Sequence, residues 1–346
     1  MKVIAVGDPH FKETNVIEVE MFIEKIVGLC KEEKPDFIVI LGDVLDEHER
    51  LHTQALNKAC EFIDKMRLCA PTYVLVGNHD MIRNSEFLTE NHWMNPLKEW
   101  ENVVIVDKVI HIEEKEYKFI LSPYVPPSRF MEALATLGEL YKNATCIFAH
   151  QEFRGCKMGA IISTEGDVWD EKDPAVVSGH IHDRQFPQEN IYYCGSSMQH
   201  SFGETSTHII PILTWSSPSV DYKLKEVDLN LPKKKTIYVD ETSLQNLNVD
   251  DLVDGLNKIK LSVDITKEQF KSFKKTSKYK QLVKSGIKVL LNPSAKKYDC
   301  LERLKLTDAE KTEMQQKDFP SLLEQLILAE NNTGLYEIYE KLLINQ

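Results

Sequence analysis

Residues 72–80 read TYVLVGNHD, a β-branched and aromatic run that stops abruptly in a glycine, an amide, an imidazole and a carboxylate. Two earlier stretches share this pattern, KVIAVGDPH at residues 2–10 and DFIVILGD at residues 36–43. A short β-branched run that ends directly in a polar cluster reads as a strand. Between the runs, apolar residues recur at helical spacing from about Val16 to Lys31 and from about Thr53 to Met66. The opening therefore predicts a βαβαβ unit, and open α/β sheets of this kind carry their ligands at the carboxyl ends of the strands.

After Asn102 the pattern becomes richer in strands, with VVIVDKVIHI and KFILSPYVPP, a helix near Arg129 to Tyr141, then TCIFAH, AVVSGHIH, NIYYCGS and THIIPILTW. A second sheet packed on the first is expected. The Ser-, Pro- and Lys-rich stretch at 216–236 reads as the exit from this large domain, which is placed at residues 1–231. KLSVDIT, a helix from about Lys267 to Lys284 and IKVLLNP make a small βαβ unit within 232–305. Residues 306–346 carry a capping-box sequence at Thr307 and apolar residues at helical spacing, and read as a helical tail.

Composition narrows the function. The chain of 346 residues is 42% apolar and 28% charged, as globular proteins are, and no stretch approaches the roughly 18 consecutive apolar residues that cross a bilayer. Its N-terminus has one lysine and a short apolar run, unlike a secretion signal, so an intracellular, non-secreted protein is expected. The seven cysteines form no C-x-x-C pair, which argues against a disulfide framework and a thiolate zinc site. Lys and Arg number 42 against 54 Asp and Glu, a net charge of −12, an awkward sign for a free-standing nucleic-acid binder. Between Lys258 and Lys297, however, twelve lysines face only Asp264 and Glu268, and this segment is a basic island.

Asp8 and His10 form a D-x-H pair past the first run, a carboxylate and an imidazole suited to a divalent ion. Alone the pair means little. GDVLDE then supplies Asp43, GNHD supplies Asn78, His79 and Asp80, FAH supplies His150, and SGHIH supplies His180 and His182. Singly, Asp43 reads as a cap, Asn78 as a turn residue and His150 as a hydrogen-bonded core histidine. Five strand-terminal clusters in the order D-x-H, G-D, G-N-H-D, H and G-H-x-H point together to a metal site.

This order of motifs resembles the calcineurin-like metallophosphoesterase superfamily over about the first 215 residues. The resemblance implies an α/β fold, a four-layer α-β-β-α sandwich. It implies that Asp8, His10 and His182 bind one divalent ion, that Asn78, His150 and His180 bind a second, and that Asp43 bridges them. Mn²⁺ is the expected occupant, with Fe or Zn as alternatives. His79 is expected to protonate or stabilise the leaving oxygen, and Asp80 to orient His79.

Residues 191–204, IYYCGSSMQHSFGE, are further similar to the Y-x-G-S-P…S-F-x-E passage of SbcD-type nuclease subunits, which process DNA ends with an SbcC-type coiled-coil ATPase. Here Gly195-Ser196-Ser197 replaces G-S-P. Asp46 stands where archaeal and eukaryotic members place a second catalytic histidine, with His48 nearby but out of register. The resemblance implies a Mn²⁺-dependent DNA exonuclease and endonuclease in recombination and repair. Its small α+β capping domain would touch DNA through Lys271, Lys274, Lys275 and Lys278, and its helical tail would dock on the ATPase. A homodimer is expected, with Thr53 to Met66 as a candidate dimer helix. The competing expectation is a phosphatase or phosphodiesterase of small phosphoesters or phosphoproteins.

Overall fold

The computed structural model describes residues 1–48, 51–159, 161–204, 207–253 and 257–292. The helical tail expected over 306–346 lies outside the described residues. The chain divides into two compact units, Met1–Lys234 and a second from Lys235.

In the first unit the strands are β1 (Lys2–Val6), β2 (Phe37–Ile40), β3 (Thr72–Leu75), β4 (Val103–Val106), β5 (Ile110–Glu114), β6 (Tyr117–Leu121), β7 (Cys146–His150), β8 (Lys157–Met158), β9 (Ile161–Ile162), β10 (Val176–Gly179), β11 (Gln185–Gln188), β12 (Ile191–Tyr193), β13 (Ile210–Thr214) and β14 (Lys223–Val227). The helices are α1 (Val16–Glu33), α2 (Thr53–Arg67) and α3 (Phe130–Ala135). Two six-stranded sheets result, ordered β14-β13-β1-β2-β3-β4 and β11-β12-β10-β7-β6-β5. The run at 103–112 is thus divided between them, β4 closing one sheet and β5 the other.

Strand alternation explains the stacking, because successive side chains point to opposite faces. Val3, Ala5, Phe37 and Val39 face the space between the sheets and meet Phe119, Leu121 and Phe148 of the second sheet. Ile4, Val6, Ile38 and Ile40 face the other way, onto Phe22 and Ile26 of α1 and Phe62 and Ile63 of α2. The outer face of the second sheet, with Ile120 and Ile147, is covered by Phe130 and Leu134 of α3. Strands apolar on both faces need cover on both, and the α-β-β-α sandwich expected from the sequence is the one observed. No helix among the described residues is long and apolar enough to cross a membrane.

Three local readings change. The apolar face of α2, with Ala55, Ala59, Phe62, Ile63 and Met66, is buried in the core, so it offers no free dimer surface. The helix expected from Arg129 to Tyr141 stops at Ala135, ahead of Gly138 at φ +62°, and a 3₁₀ turn over Leu140–Asn143 follows. The segment read as a domain exit contains β14, an edge strand antiparallel to β13.

The second unit has the sheet order β15 (Lys234–Asp240), β16 (Lys258–Asp264), β17 (Lys288–Leu291). Helix α4 (Glu241–Asn246) follows β15, while α5 (Lys267–Phe273) and α6 (Ser277–Lys284) connect the parallel strands β16 and β17. The single helix expected over 267–284 is interrupted because Thr276 caps α6, its side chain accepting the Tyr279 N–H. Leu261, Val263, Phe270 and Leu282 form the core of this unit.

Candidate metal centre

Strands β1, β2 and β3 are adjacent and parallel. So are β7 and β10, with His150 opposite Gly179. Residues just past their carboxyl ends are therefore delivered to one edge of the sandwich. The backbone there is strained. Asp8, His10, Asp43 and His180 have φ values of 37°, 44°, 48° and 78°, a region that costs non-glycine residues about 1–3 kcal/mol each and persists only where the surroundings enforce it. A side chain at Gly42 (φ +102°) would meet His150 Nδ1 at 2.5 Å, so the close approach of two strand ends requires glycine there.

Asp8, His10 and His182 form one cluster and Asp43, His150 and His180 another, the candidate ligand atoms of each lying within 4.8 Å of one another. Asn78 Oδ1 joins the second cluster, 3.0 Å from His150 Nε2 and 2.8 Å from His180 Nδ1. Both carboxylates are held by one oxygen. Asp8 Oδ1 accepts the His180 N–H at 2.8 Å, and Asp43 Oδ1 accepts the His79 N–H at 2.8 Å. The other oxygen of each faces the site: Asp43 Oδ2 is 3.6 Å from His10 Nε2 and 3.4 Å from His150 Nε2, so it stands between the clusters.

This donor set fits divalent cations. Asp8 Oδ2 is buried without a hydrogen-bond partner, which is costly unless a cation satisfies it. His10 Nε2 and His182 Nε2 are 3.0 Å apart, close to the spacing of neighbouring ligands on one ion at bond lengths of about 2.1 Å. His150 Nδ1 contacts the Leu41 carbonyl at 2.6 Å and is therefore the protonated nitrogen, which leaves Nε2 as the ligating one.

Charge is distributed unevenly. Burial, reinforced by His182 and His79, holds His10 well below the ordinary imidazole range against the pull of Asp43. Burial and then His150 bring His180 down to about 3. Both are thus neutral at pH 7, the form that binds metal. Burial opposes charge on His150 too, but Asp43 and Asp8 outweigh it and lift that imidazole to about 9, so without metal Nε2 also carries a proton at pH 7, which a bound ion would displace. Burial pushes Asp8 up to about 6. Burial also pushes Asp43 upward, yet His150 and His10 outweigh it and hold Asp43 well below the carboxylate range.

His79 belongs to neither cluster. Its Nδ1 contacts the Asp46 carbonyl at 2.7 Å, leaving Nε2 available, and its ring stacks on His48 at 4.2 Å between centroids. Asp80 does not orient His79 as expected. Its carboxylate instead accepts the Gly77 and Val44 N–H groups at 3.1 and 3.2 Å and the Trp93 indole N–H at 2.9 Å. With the Leu45 N–H at 3.4 Å, four N–H donors turn the carboxylate into a tie between the G-D turn, the G-N-H-D turn and the segment at Trp93, while a backbone carbonyl holds the imidazole.

Two neighbours were not singled out from the sequence. His200 Nε2 donates to the Asp8 carbonyl at 2.9 Å, with its ring 4.9 Å from that of His10 and 5.4 Å from that of His182. Its signal lies in the 191–204 passage. Glu152 Oε2 lies 4.0 Å from His180 Nε2, and its only signal is its nearness to His150. In the second unit, Lys271 is on α5, Lys274 and Lys275 follow it, and Lys278 is on α6. Lys271, Lys274 and Lys275 are exposed, with Lys274 Nζ 4.9 Å over the Phe270 ring, and the half-buried Lys278 donates through Nζ to the Gln245 carbonyl at 2.8 Å.

A model of the calcineurin-like phosphoesterase family matches residues 1–184, a span that ends just past His182. Protein 078R of Invertebrate iridescent virus 3, named as a phosphoesterase, is 46% identical over 84% of this chain and 83% of its own length. Protein 244L of Invertebrate iridescent virus 6, named likewise, is 48% identical over 79% of this chain and 97% of its own. Among solved structures, GAP50, the anchor in the inner membrane complex of Plasmodium, covers 66% of this chain and 85% of its own at 15% identity and a TM-score of 0.43. A dimetal phosphatase from Danio rerio covers 62% and 92% at 11% identity and a TM-score of 0.40. With the motifs, the family match and the viral relatives in agreement, the chain belongs to the calcineurin-like phosphoesterases, metal-dependent hydrolases of phosphoesters.

Proposed function

We propose that this phosphoesterase is a Mn²⁺-dependent DNA nuclease, the exonuclease and endonuclease subunit of an intracellular SbcC/SbcD-type complex that processes DNA ends in recombination and repair. The observation that carries the reading is where the 191–204 passage folds. Ser197 N–H donates to the Gly7 carbonyl at 2.8 Å and His200 Nε2–H to the Asp8 carbonyl at 2.9 Å, so the passage similar to SbcD-type nucleases lies directly against the D-x-H turn. The exposed Lys271 and Lys275 give the second unit a basic surface that suits sequence-independent contact with DNA phosphates. In this reading Lys274 and Lys278 assist, an SbcC-type ATPase supplies the remaining affinity, and the active form is a homodimer.

Asp8, His10 and His182 on one side and Asn78, His150 and His180 on the other, with Asp43 between, would hold two divalent ions, Mn²⁺ foremost with Fe or Zn as alternatives, and bound ions would supply polarisation of the phosphodiester and a water of lowered pKa. The chain does the rest. Asp43 offers Oδ2 to both sets because Oδ1 is retained by the His79 amide. His79, fixed through Nδ1 on Asp46, holds a proton at Nε2 for the leaving oxygen.

The test is Mn²⁺-dependent cleavage of linear duplex and single-stranded DNA beside bis(p-nitrophenyl) phosphate. DNA cleavage is expected. Hydrolysis of the small diester with DNA untouched, even after an SbcC-type partner is added, would favour a small-substrate phosphodiesterase instead.

A further inference from the structure

A cavity of about 460 Å³ opens beside the metal centre, lined by His180 and His182, by Lys157 and Met158, and by Ser201 and Glu204. We infer that it holds the nucleoside attached to the scissile phosphodiester, with Met158 as the apolar contact for the base and its cross-strand partner Ile161 beside it. The inference rests on the nuclease reading and deepens it.

Position comes first. His180 and His182 belong to the two metal-ligand clusters, so whatever fills the cavity is attached to, or next to, the reacting phosphorus. The volume lies in the range that a single organic ligand occupies.

The walls select the chemistry. Met158 and Ile161 are cross-strand partners on the β8–β9 hairpin, so they share one face. They are 38% and 65% exposed, whereas most other large apolar side chains among the described residues are buried. The hairpin is nonetheless well anchored. The Gln185 side chain accepts the Lys157 N–H at 2.7 Å and donates to the Lys157 carbonyl at 2.8 Å, as a neighbouring strand would, and at its base the Gly155 N–H donates to the Ser163 carbonyl and the Ser163 N–H to the Cys156 carbonyl, each at 2.9 Å. An exposed apolar pair on an anchored hairpin beside a reaction centre marks a binding surface, and the thioether of Met158 suits the face of a π-system.

Charge argues against a second phosphate in this space. Glu204 is fixed there by the His200 and Ser201 N–H groups at 2.7 and 3.1 Å, and Asp183 also lines the cavity, against the one cation of Lys157. A neutral base over Met158, with Lys157 left for the next phosphate along the strand, fits this lining.

The test compares phosphodiesters that share a p-nitrophenolate leaving group: methyl p-nitrophenyl phosphate and the 5′- and 3′-thymidine p-nitrophenyl phosphates, with the full chain and Mn²⁺. At least one thymidine ester is expected to exceed the methyl ester in kcat/KM by about tenfold, as base stacking allows. Met158→Asp should bring that ratio to about one, chiefly through KM, and Ile161→Asp should lower it in the same direction. Because the ratio is internal to each variant, an overall loss of activity does not mimic the result. A wild-type ratio near one for both thymidine esters, or a ratio that survives both substitutions, would overturn the subsite and leave the phosphodiesterase standing. Hydrolysis of p-nitrophenyl phosphate with all three diesters untouched would instead overturn the nuclease reading, and the subsite with it.

Discussion

The backbone N–H of His79 holds Asp43 by a single carboxylate oxygen at 2.8 Å, which leaves the other oxygen to face His10 and His150 at 3.6 and 3.4 Å. One residue thereby orients the group between the clusters with its backbone and keeps its side chain for a different task.

The first prediction concerns Gly77, which packs against that carboxylate. A Cβ there would lie 2.2 Å from Asp43 Oδ1 and 2.4 Å from Asp43 N, a clash that only movement of the G-D turn can relieve. Gly77→Ala should lower phosphoesterase activity by about 10²-fold, as small displacements of reacting groups do. Steady-state kinetics and Mn²⁺ titration check this, the variant needing more metal for half-maximal rate.

Removing the His79 side chain leaves its amide, and hence Asp43, in place. His79→Ala should therefore retain bound metal while kcat falls about 10²- to 10⁴-fold, the usual range for a lost general acid. Metal analysis beside kinetics separates this from ligand loss.

Asp80 acts on stability. In Asp80→Asn an amide NH₂ replaces an acceptor that serves the Gly77, Val44 and Trp93 N–H groups, leaving buried donors unpaired. A loss of about 2–4 kcal/mol is expected in denaturant unfolding, with weakened metal binding because both turns loosen.

Asp107 gives a pH prediction away from the metal site. Burial pushes its carboxyl up, but hydrogen bonds from His92 and Lys98 outweigh it and bring it down to about 2. A depressed acid stabilises the fold above its unfolded pKa of about 3.9 and loses that contribution as pH falls towards the folded value. Asp107→Asn should thus cost about 2 kcal/mol at pH 7, and the gap to wild type should narrow between about pH 4 and pH 2 in urea titrations.

The sandwich and most of the centre were legible because one rule generates both. A strand apolar on both faces must be buried, and parallel strands deliver whatever follows them to a common edge; Asp8, Asp43, Asn78, His150 and His180 all occupy such positions. What a residue does after the strand ends was less legible. Asp80 and His79 are adjacent in sequence, yet one carboxylate turns to amides while the imidazole turns to the Asp46 carbonyl, and spacing does not encode that choice. The positive φ of Asp8, His10, Asp43 and His180 is hidden for the same reason, since none of these is a glycine. His200 reaches Asp8 across 192 residues of sequence, from a segment with no regular period to place it. In the second unit the lysine-rich pattern runs unbroken over 267–284, and the Thr276 cap that divides it into two helices leaves no break in that pattern.

The most direct test of the two-ion centre is the Mn²⁺ content of the wild-type chain and of Asp43→Ala, measured by elemental analysis after dialysis, with circular dichroism to establish that both are folded. Two ions per wild-type chain and at most one in the variant is the predicted result. Two ions retained by a folded Asp43→Ala would contradict the bridging role of Asp43 and the arrangement built on it.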